Sequence, residues 1–382
     1  MEIIRTAFIG FGYRGRLLFR LLQHIPSYDV IAMADPGISS LDTEGRACYA
    51  EGEDDYLRML NEQHPDLVIV ASPWHCHVKQ TLHCLEVGCH VGLEIKGGLA
   101  LGEYQAVIEL SKKVDRRIYP LENTLFMREN LAVCNLVQAG ALGDIVYMTG
   151  GYRHDLRNLL LDASGRLGNT DCPEGAWRSR FYQTENGDLY PTHGLAPLCL
   201  IAGINRGDKI VSLTSFSSKS AGIKQRIREL SGDEQVAISM GDIISTQLQT
   251  ESGVLISLIH DTTLPRPRSL NFEVQGTKGI WNGERRSIYI EHLSPHEQWE
   301  SDESYISQYE HTYWKQWGRE ALQIDVHHQG MDYIMLKALE ADLRHAMMYP
   351  VTIEDLALWT SVSPYSKQSI REGRTLSLLP TS

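Results

Sequence analysis

The run Gly10-Phe11-Gly12-Tyr13-Arg14-Gly15, set directly after the apolar stretch Thr6–Ile9, constrains this chain more than any other feature. G-x-G-x-x-G after a strand and at the start of a helix is a dinucleotide-binding turn. The first glycine makes the tight turn and the second lets the backbone approach a pyrophosphate. The third allows helix and strand to pack closely, and the helix N-terminus then faces the phosphates. Asp35 ends the next apolar run, Ile31-Ala32-Met33-Ala34. A carboxylate there accepts from a ribose 2′-hydroxyl and repels a 2′-phosphate, which selects NAD over NADP.

The first third of the chain extends this reading. Short apolar runs at Thr6–Ile9, Val30–Ala34, Leu67–Ala71, His90–Leu93 and Arg117–Leu121 are expected strands. Between them, Gly15–Ile25, Asp55–Glu62, Val78–Val87 and Gly102–Val114 carry helical spacing. Strands alternating with helices imply parallel pairing through right-handed crossovers, hence an α/β, doubly wound Rossmann domain over residues 1–121. Ser72-Pro73-Trp74 and His77 follow the Leu67–Ala71 strand at the carboxyl edge, where such folds bind ligands, and border the cofactor site. At 382 residues the chain exceeds one ordinary core, so a second domain, 122–382, is expected.

There the rhythm changes. A helix at Arg128–Gln138 and a strand at Asp144–Tyr152 precede a stretch, running to Asp188, that reads as irregular. A helix near His193–Ala202 is followed by alternating segments at Lys209–Phe216, Ile243–Thr250, Val254–His260 and Leu270–Gly276, joined by glycine turns. These imply an α+β domain with an open, mostly antiparallel sheet, closed by helices at Gly330–Leu343 and Thr352–Ile370.

A net charge of −12 argues against nucleic acid or an anionic membrane as partner. No apolar run reaches membrane-spanning length, and no secretory leader is recognisable. Seven cysteines suit reduced thiols, so a cytoplasmic protein is expected. His75, Cys76, His77, His83, Cys84, Cys89 and His90 cluster in sequence but match no standard zinc spacing, and no metal is expected.

Taken together, the glycine turn, Asp35-Pro36, Ser72-Pro73 with His77, and Gly88-Cys89-His90-Val91-Gly92-Leu93-Glu94 resemble the Gfo/Idh/MocA oxidoreductases along essentially the whole chain. That resemblance adds Glu94 to the cofactor residues and implies a homo-oligomer formed through the C-terminal sheet. Dehydrogenases of the family carry Glu-Lys-Pro after the fifth strand and an aspartate before a histidine in the second domain. Here Ile95 stands at the lysine position and Leu189 at the aspartate position; only His193 remains. Lys96 is one residue away, where alternation points it elsewhere.

Within the family, the match is closer to glycoside hydrolase family 109, the NAD-dependent α-N-acetylgalactosaminidases. It is carried by Leu121-Glu122-Asn123, Gly150-Gly151-Tyr152-Arg153-His154-Asp155, and Gly187–Pro197 with Asn205-Arg206-Gly207-Asp208. His260–Pro267 and His328-Gln329-Gly330-Met331-Asp332 complete it. The resemblance marks Glu122, Tyr152, His154, Tyr190 and His193 as active-site residues on a carbohydrate substrate. It implies oxidation of a sugar 3-hydroxyl by NAD, loss of the acidified C2 proton, elimination at C1, addition of water and re-reduction. His193 would serve the 3-hydroxyl, Tyr152 the C2 proton, and His154 the leaving group or water; Glu122 and Tyr190 would position substrate. Tyr152 and His154, two apart on a strand, share a face, which suits a site and also a packed sheet. A sugar or polyol dehydrogenase with net NADH release is the alternative, and a silent NAD-binding protein the third reading. The sugar and its linkage stay open.

Overall fold

The computed structural model describes residues 3–39, 43–169, 171–233 and 235–378. Two compact units emerge: residues 1–126 with 312–357, and residues 127–311 with 358–382.

In the first unit, β1 (Ile4–Ile9), α1 (Tyr13–Leu22), β2 (Tyr28–Ala34), β3 (Ala47–Tyr49), α2 (Asp55–Gln63), β4 (Leu67–Val70), α3 (His77–Glu86), β5 (His90–Leu93), α4 (Gln105–Val114) and β6 (Ile118–Pro120) alternate as the apolar periodicity requires. The sheet order is β3-β2-β1-β4-β5-β6 and every pairing is parallel. The order reverses at β1 and β4, the switch point at which such sheets hold ligands. Strands covered on both faces must be apolar throughout, and β4 (Leu67-Val68-Ile69-Val70) is buried at every position.

The second unit contains α5 (Arg128–Gln138), β7 (Ile145–Arg153), α6 (Arg157–Leu160), α7 (Pro173–Thr184), α8 (Thr192–Ala202), β8 (Ile210–Ser217), α9 (Gly222–Ser231), β9 (Ile243–Thr250), β10 (Leu255–Asp261), β11 (Glu273–Gly276), β12 (Gly279–Asn282), β13 (Ser287–Ile290), β14 (Glu300–Ser301) and α10 (Glu303–Gln308). Its sheet runs β14-β13-β12-β11-β7-β10-β9-β8-β15, where β15 is Leu376–Ser377. Only β7 and β10 pair in parallel; the rest are antiparallel. On β9, Ile244, Thr246, Leu248 and Thr250 are buried while Ile243, Ser245, Gln247 and Gln249 are not. One face is therefore packed and the other open.

One expectation needs correction, and the contacts divide the chain differently from a second. The stretch before Asp188 is not irregular throughout: α6 and α7 lie within it. Pro173 at the start of α7 and Glu174 in its first turn favour a helix N-terminus that the surrounding Gly, Asn and Asp residues disguise. The linear division at 121/122 also differs from the contacts. α11 (Thr312–Ile324) and α12 (Met331–Leu343) belong to the first unit. Trp314 Nε1 donates to the Phe126 carbonyl (2.9 Å), Tyr28 to that of Leu336 (3.0 Å), and Tyr119 to Asp342 (2.8 Å). The last two satisfy buried phenols, Tyr28 and Tyr119, that the first 121 residues alone would leave without these partners. α13 (Ile353–Glu372) completes the chain's helices among the described residues, most of its length in the second unit.

Candidate functional site

In the first unit the expected cofactor residues gather at the carboxyl ends of β1, β2, β4 and β5. Gly10 holds φ +89°, and a Cβ there would lie 2.4 Å from the Ser72 amide nitrogen; only glycine lets the β1 and β4 ends come so near. Gly12 has nothing within 4 Å of its Cβ direction, and no side chain caps α1, which starts at Tyr13. The helix thus opens without a side-chain cap and beside open space, the provision a pyrophosphate needs. Asp35 braces the turn, accepting from the Phe11 and Gly37 amides (2.7 Å each). Tyr13 is largely exposed.

On the β4 side, Ser72 Oγ donates to Gln80, and Trp74 is buried in a single turn of 3-10 helix. His77 Nε2 donates to the Ser72 carbonyl (2.8 Å). Burial lowers the imidazole pKa to about 4, so the ring is neutral and its Nδ1 carries a lone pair. That atom is buried with no hydrogen-bond partner among the described residues, as is Oδ1 of Asn123. Two orphaned acceptors in a Rossmann unit suit a ligand rich in hydroxyl and amide donors.

Arg14 turns inward. Its guanidinium grips Glu94 (2.6 Å) and Asp332 (3.0 Å), the latter in the first turn of α12. Asp332 also accepts from Asn123 Nδ2 (3.0 Å) and bonds His328 Nδ1 (2.5 Å). Burial opposes the charge on Asp332, but Arg14 and His328 overcome it and hold the carboxyl below its usual range. For Glu94 burial prevails, and its pKa is raised. Asp325, His328 and Asp332 form a metal-like group with ligand atoms within 4.8 Å. Their oxygens already accept N–H bonds, however: Asp325 takes the amides of His328, Asp332 and Tyr333. Of the histidines and cysteines clustered in sequence, His83 bonds Tyr56, Cys89 bonds the Pro65 carbonyl and His90 accepts from the Arg117 amide, so they face separate partners.

The second unit builds a different surface. Tyr152 lies at the end of β7 and His193 in the first turn of α8. They meet because Gly150 and Gly194 let helix and strand touch: a Cβ on Gly194 would fall 2.3 Å from the Gly151 nitrogen, and one on Gly150 2.3 Å from the Gly194 carbonyl oxygen. Ring centroids of Tyr152 and His193 are 5.4 Å apart, Tyr190 and His193 4.9 Å, and Tyr152 and Tyr190 4.5 Å. His154 stands edge-on to Tyr152 at 6.3 Å. Asp188 accepts from the Tyr190 amide (3.2 Å) and shapes that turn; Leu189 is buried. Glu122 belongs to the first unit, where it is fully buried and accepts from the Thr124 hydroxyl (2.7 Å).

Sequence reasoning passed over two members of this cluster. Arg178 on α7 lies 5.0 Å above the Tyr190 ring and 5.7 Å above Tyr152, and pairs with Glu174 (2.6 Å). His260 on β10, in register with Tyr152, has its ring 6.3 Å away. Arg178 was hidden by the loop-like composition around α7, whereas His260 was in view in its motif without a role. Burial, with Arg268 and Arg178 nearby, depresses the His154 pKa, so this imidazole resists protonation. Two phenols, several imidazoles and a buried guanidinium on one surface can move protons and hold developing negative charge.

Comparison with known proteins defines the class first. Residues 4–120 match the profile of the oxidoreductase family with an NAD-binding Rossmann fold. Solved structures share the fold over nearly the whole chain: an NAD binding oxidoreductase from Klebsiella pneumoniae (TM-score 0.74, 15% identity, 99% of each chain) and an oxidoreductase from Agrobacterium radiobacter in complex with NAD+, L-tartaric acid and magnesium (TM-score 0.67, 13% identity, 98% of each chain). Residues 126–381 match the C-terminal domain of glycosyl hydrolase 109. A glycosyl hydrolase family 109 protein of Stenotrophomonas maltophilia (strain K279a) is 33% identical, covering 96% of this chain and 86% of its own; an alpha-N-acetylgalactosaminidase of Tannerella forsythia is 30% identical, covering 97% and 84%. The chain belongs to glycosyl hydrolase family 109 and is an NAD-dependent glycosidase.

Proposed function

We propose that the enzyme is redox-neutral, cleaving a glycoside by transient oxidation at C3 and elimination across C1–C2, with the Tyr152–Tyr190–His193 ring cluster as the observation that carries this reading. When bound, NAD supplies reversible two-electron oxidation of the C3 hydroxyl. His193 takes the hydroxyl proton as the ketone forms and returns it when the alcohol is restored. The ketone acidifies C2–H, and Tyr152 removes that proton while the C1–O bond breaks. The aglycone takes its proton from solvent as it leaves; His154, kept neutral because burial disfavours its cation, then accepts the proton of the water that adds at C1, and Tyr152 returns a solvent-exchanged proton to C2. Arg178 holds the enolate charge that develops beside Tyr152 and Tyr190. Tyr190 positions substrate. The sum is hydrolysis with no net oxidation, and neither the lysine replaced by Ile95 nor the aspartate replaced by Leu189 is required.

An α-linked N-acetylgalactosaminide, the substrate class in the Tannerella forsythia relative's name, heads the glycosides to try. The experiment incubates purified protein with aryl and natural glycosides in deuterated water without added cofactor. Cleavage with deuterium at C2 of the released sugar and no accumulation of NADH is expected. Stoichiometric NADH from free sugars without cleavage would overturn the reading in favour of a dehydrogenase.

The open face of the second unit's sheet carries Tyr147, Leu255, Ile259, Ile280, Tyr289 and Phe216 among Gln, Ser and Thr, and Phe216 is 67% exposed. We propose this face as a contact between copies of the chain, which a solution mass of one chain would refute. The seven cysteines form no disulfide among the described residues, which suits the reducing cytoplasm proposed for the protein.

A further inference from the structure

Asp332 spends one buried carboxylate on three partners that the reaction itself does not use. Its side chain is 0% exposed. Oδ1 accepts from Arg14 (3.1 Å) and Asn123 (3.0 Å), while Oδ2 accepts from Arg14 (3.0 Å) and bonds His328. Its amide is anchored in turn on Asp325 (2.9 Å).

Each partner matters to the cofactor unit. Arg14 stands inside the glycine turn, and the same guanidinium fixes Glu94 beyond β5 through two N–H bonds (2.6 and 2.9 Å). A planar fork held on both sides by carboxylates cannot swing, so the turn and the β5 end are locked to one geometry. Asn123 follows β6, and its amide could point either way. Because Asp332 can only accept, Nδ2 must face it, which leaves Oδ1 as the buried acceptor without a partner among the described residues. The carboxylate thereby decides that the cofactor unit offers an acceptor at that place rather than a donor.

We propose that Asp332 is a positioning residue for NAD: by orienting Arg14 and Asn123 from the start of α12, it sets how firmly the cofactor is held and how seldom it leaves between turnovers. The proposal rests on NAD binding alone and stands or falls independently of the glycoside chemistry. It gives the segment 312–357 a role in cofactor retention.

Asp332→Asn tests it. The amide keeps the shape but faces Arg14 with no charge and Asn123 with a competing donor. NAD and NADH dissociation constants, and the release rate of bound NADH read by fluorescence, are measured on the full chain. An increase of about tenfold or more in both is expected, equivalent to roughly 1.4 kcal/mol. Asp342→Asn is the control. It breaks a second buried carboxylate of α12, bonded to Arg117, Tyr119 and the Tyr349 amide. Ten residues along the helix is about 15 Å, so it lowers stability through the same helix away from the glycine turn. It should leave NAD affinity within about twofold. Equal weakening by both variants would reduce Asp332 to general stability and overturn the proposal, as would unchanged affinity in Asp332→Asn. If Asp332→Asn does not fold, His328→Ala removes one anchor of the same carboxylate; about threefold weaker NAD binding is expected, and none would refute the role.

Discussion

The two units hold their functional groups by opposite means. In the first, backbone and fixed charge do the work: a glycine at φ +89°, an uncapped helix start, and Arg14 clamped between Glu94 and Asp332. In the second, rings lean on one another at 4.5–5.4 Å over a strand–helix contact made tight by Gly150 and Gly194. A tight-binding cofactor asks for geometry that does not titrate. Acid–base steps ask for phenols and imidazoles whose proton state can change, packed closely enough to hand protons on. The first unit is built to keep something, the second to exchange something.

Substitutions should separate these two natures. The largest effect is expected for Tyr152→Phe, which keeps the ring packing against Tyr190 and His193 but removes the phenol oxygen that takes up the C2 proton. Glycoside cleavage should fall by about 10²–10⁴-fold while NAD affinity stays the same. Equal loss of both would dissolve the contrast. Next comes His77→Gln. The folded His77 pKa is about 4 against an ordinary 6.5, and burial is the cause. Between those values the unfolded chain binds more protons than the folded one, so stability is fully present above pH 6.5 and lost as pH falls toward 4. The loss is about 3 kcal/mol at most. Glutamine removes that slope, as unfolding followed from pH 4 to 7 at fixed NAD would show; an unchanged slope would place the titration elsewhere. The smallest effect belongs to Asp35→Asn. It drops the charge and keeps an acceptor for only one of the Phe11 and Gly37 amides, which bond different Asp35 oxygens, and the preference for NAD over NADP should relax by about tenfold, measured as the ratio of dissociation constants.

Much of the first unit was legible in the sequence because its signals are local. β5 is found at His90–Leu93 as its apolar run requires, and α2 and α3 lie within a residue of their periodic segments. The glycine turn reads correctly for the same reason: strand, turn and helix are neighbours in the chain. What stayed hidden depends on distance. No local pattern reveals that Asp332 would meet Arg14, since 318 residues separate them. Arg178 was concealed differently, by a helix whose apolar and polar residues show no amphipathic face. α9, α11, β12 and β13 were missed as well. The ring cluster was readable as a set only through resemblance, because spacing alone cannot bring Tyr152, on a strand, to His193, on a helix.

The return of residues 312–357 to the first unit has a consequence for the order in which the protein is made. A ribosome delivers the glycine turn early, yet Asp332 leaves it only after the intervening segment 127–311 has been synthesised. At roughly 5–20 residues per second, that delay is on the order of ten to forty seconds. During it the strands of the nucleotide unit exist without α11 and α12, and Arg14 and Asn123 wait without their shared carboxylate. The nascent chain therefore passes its central segment before it can finish the unit it began with.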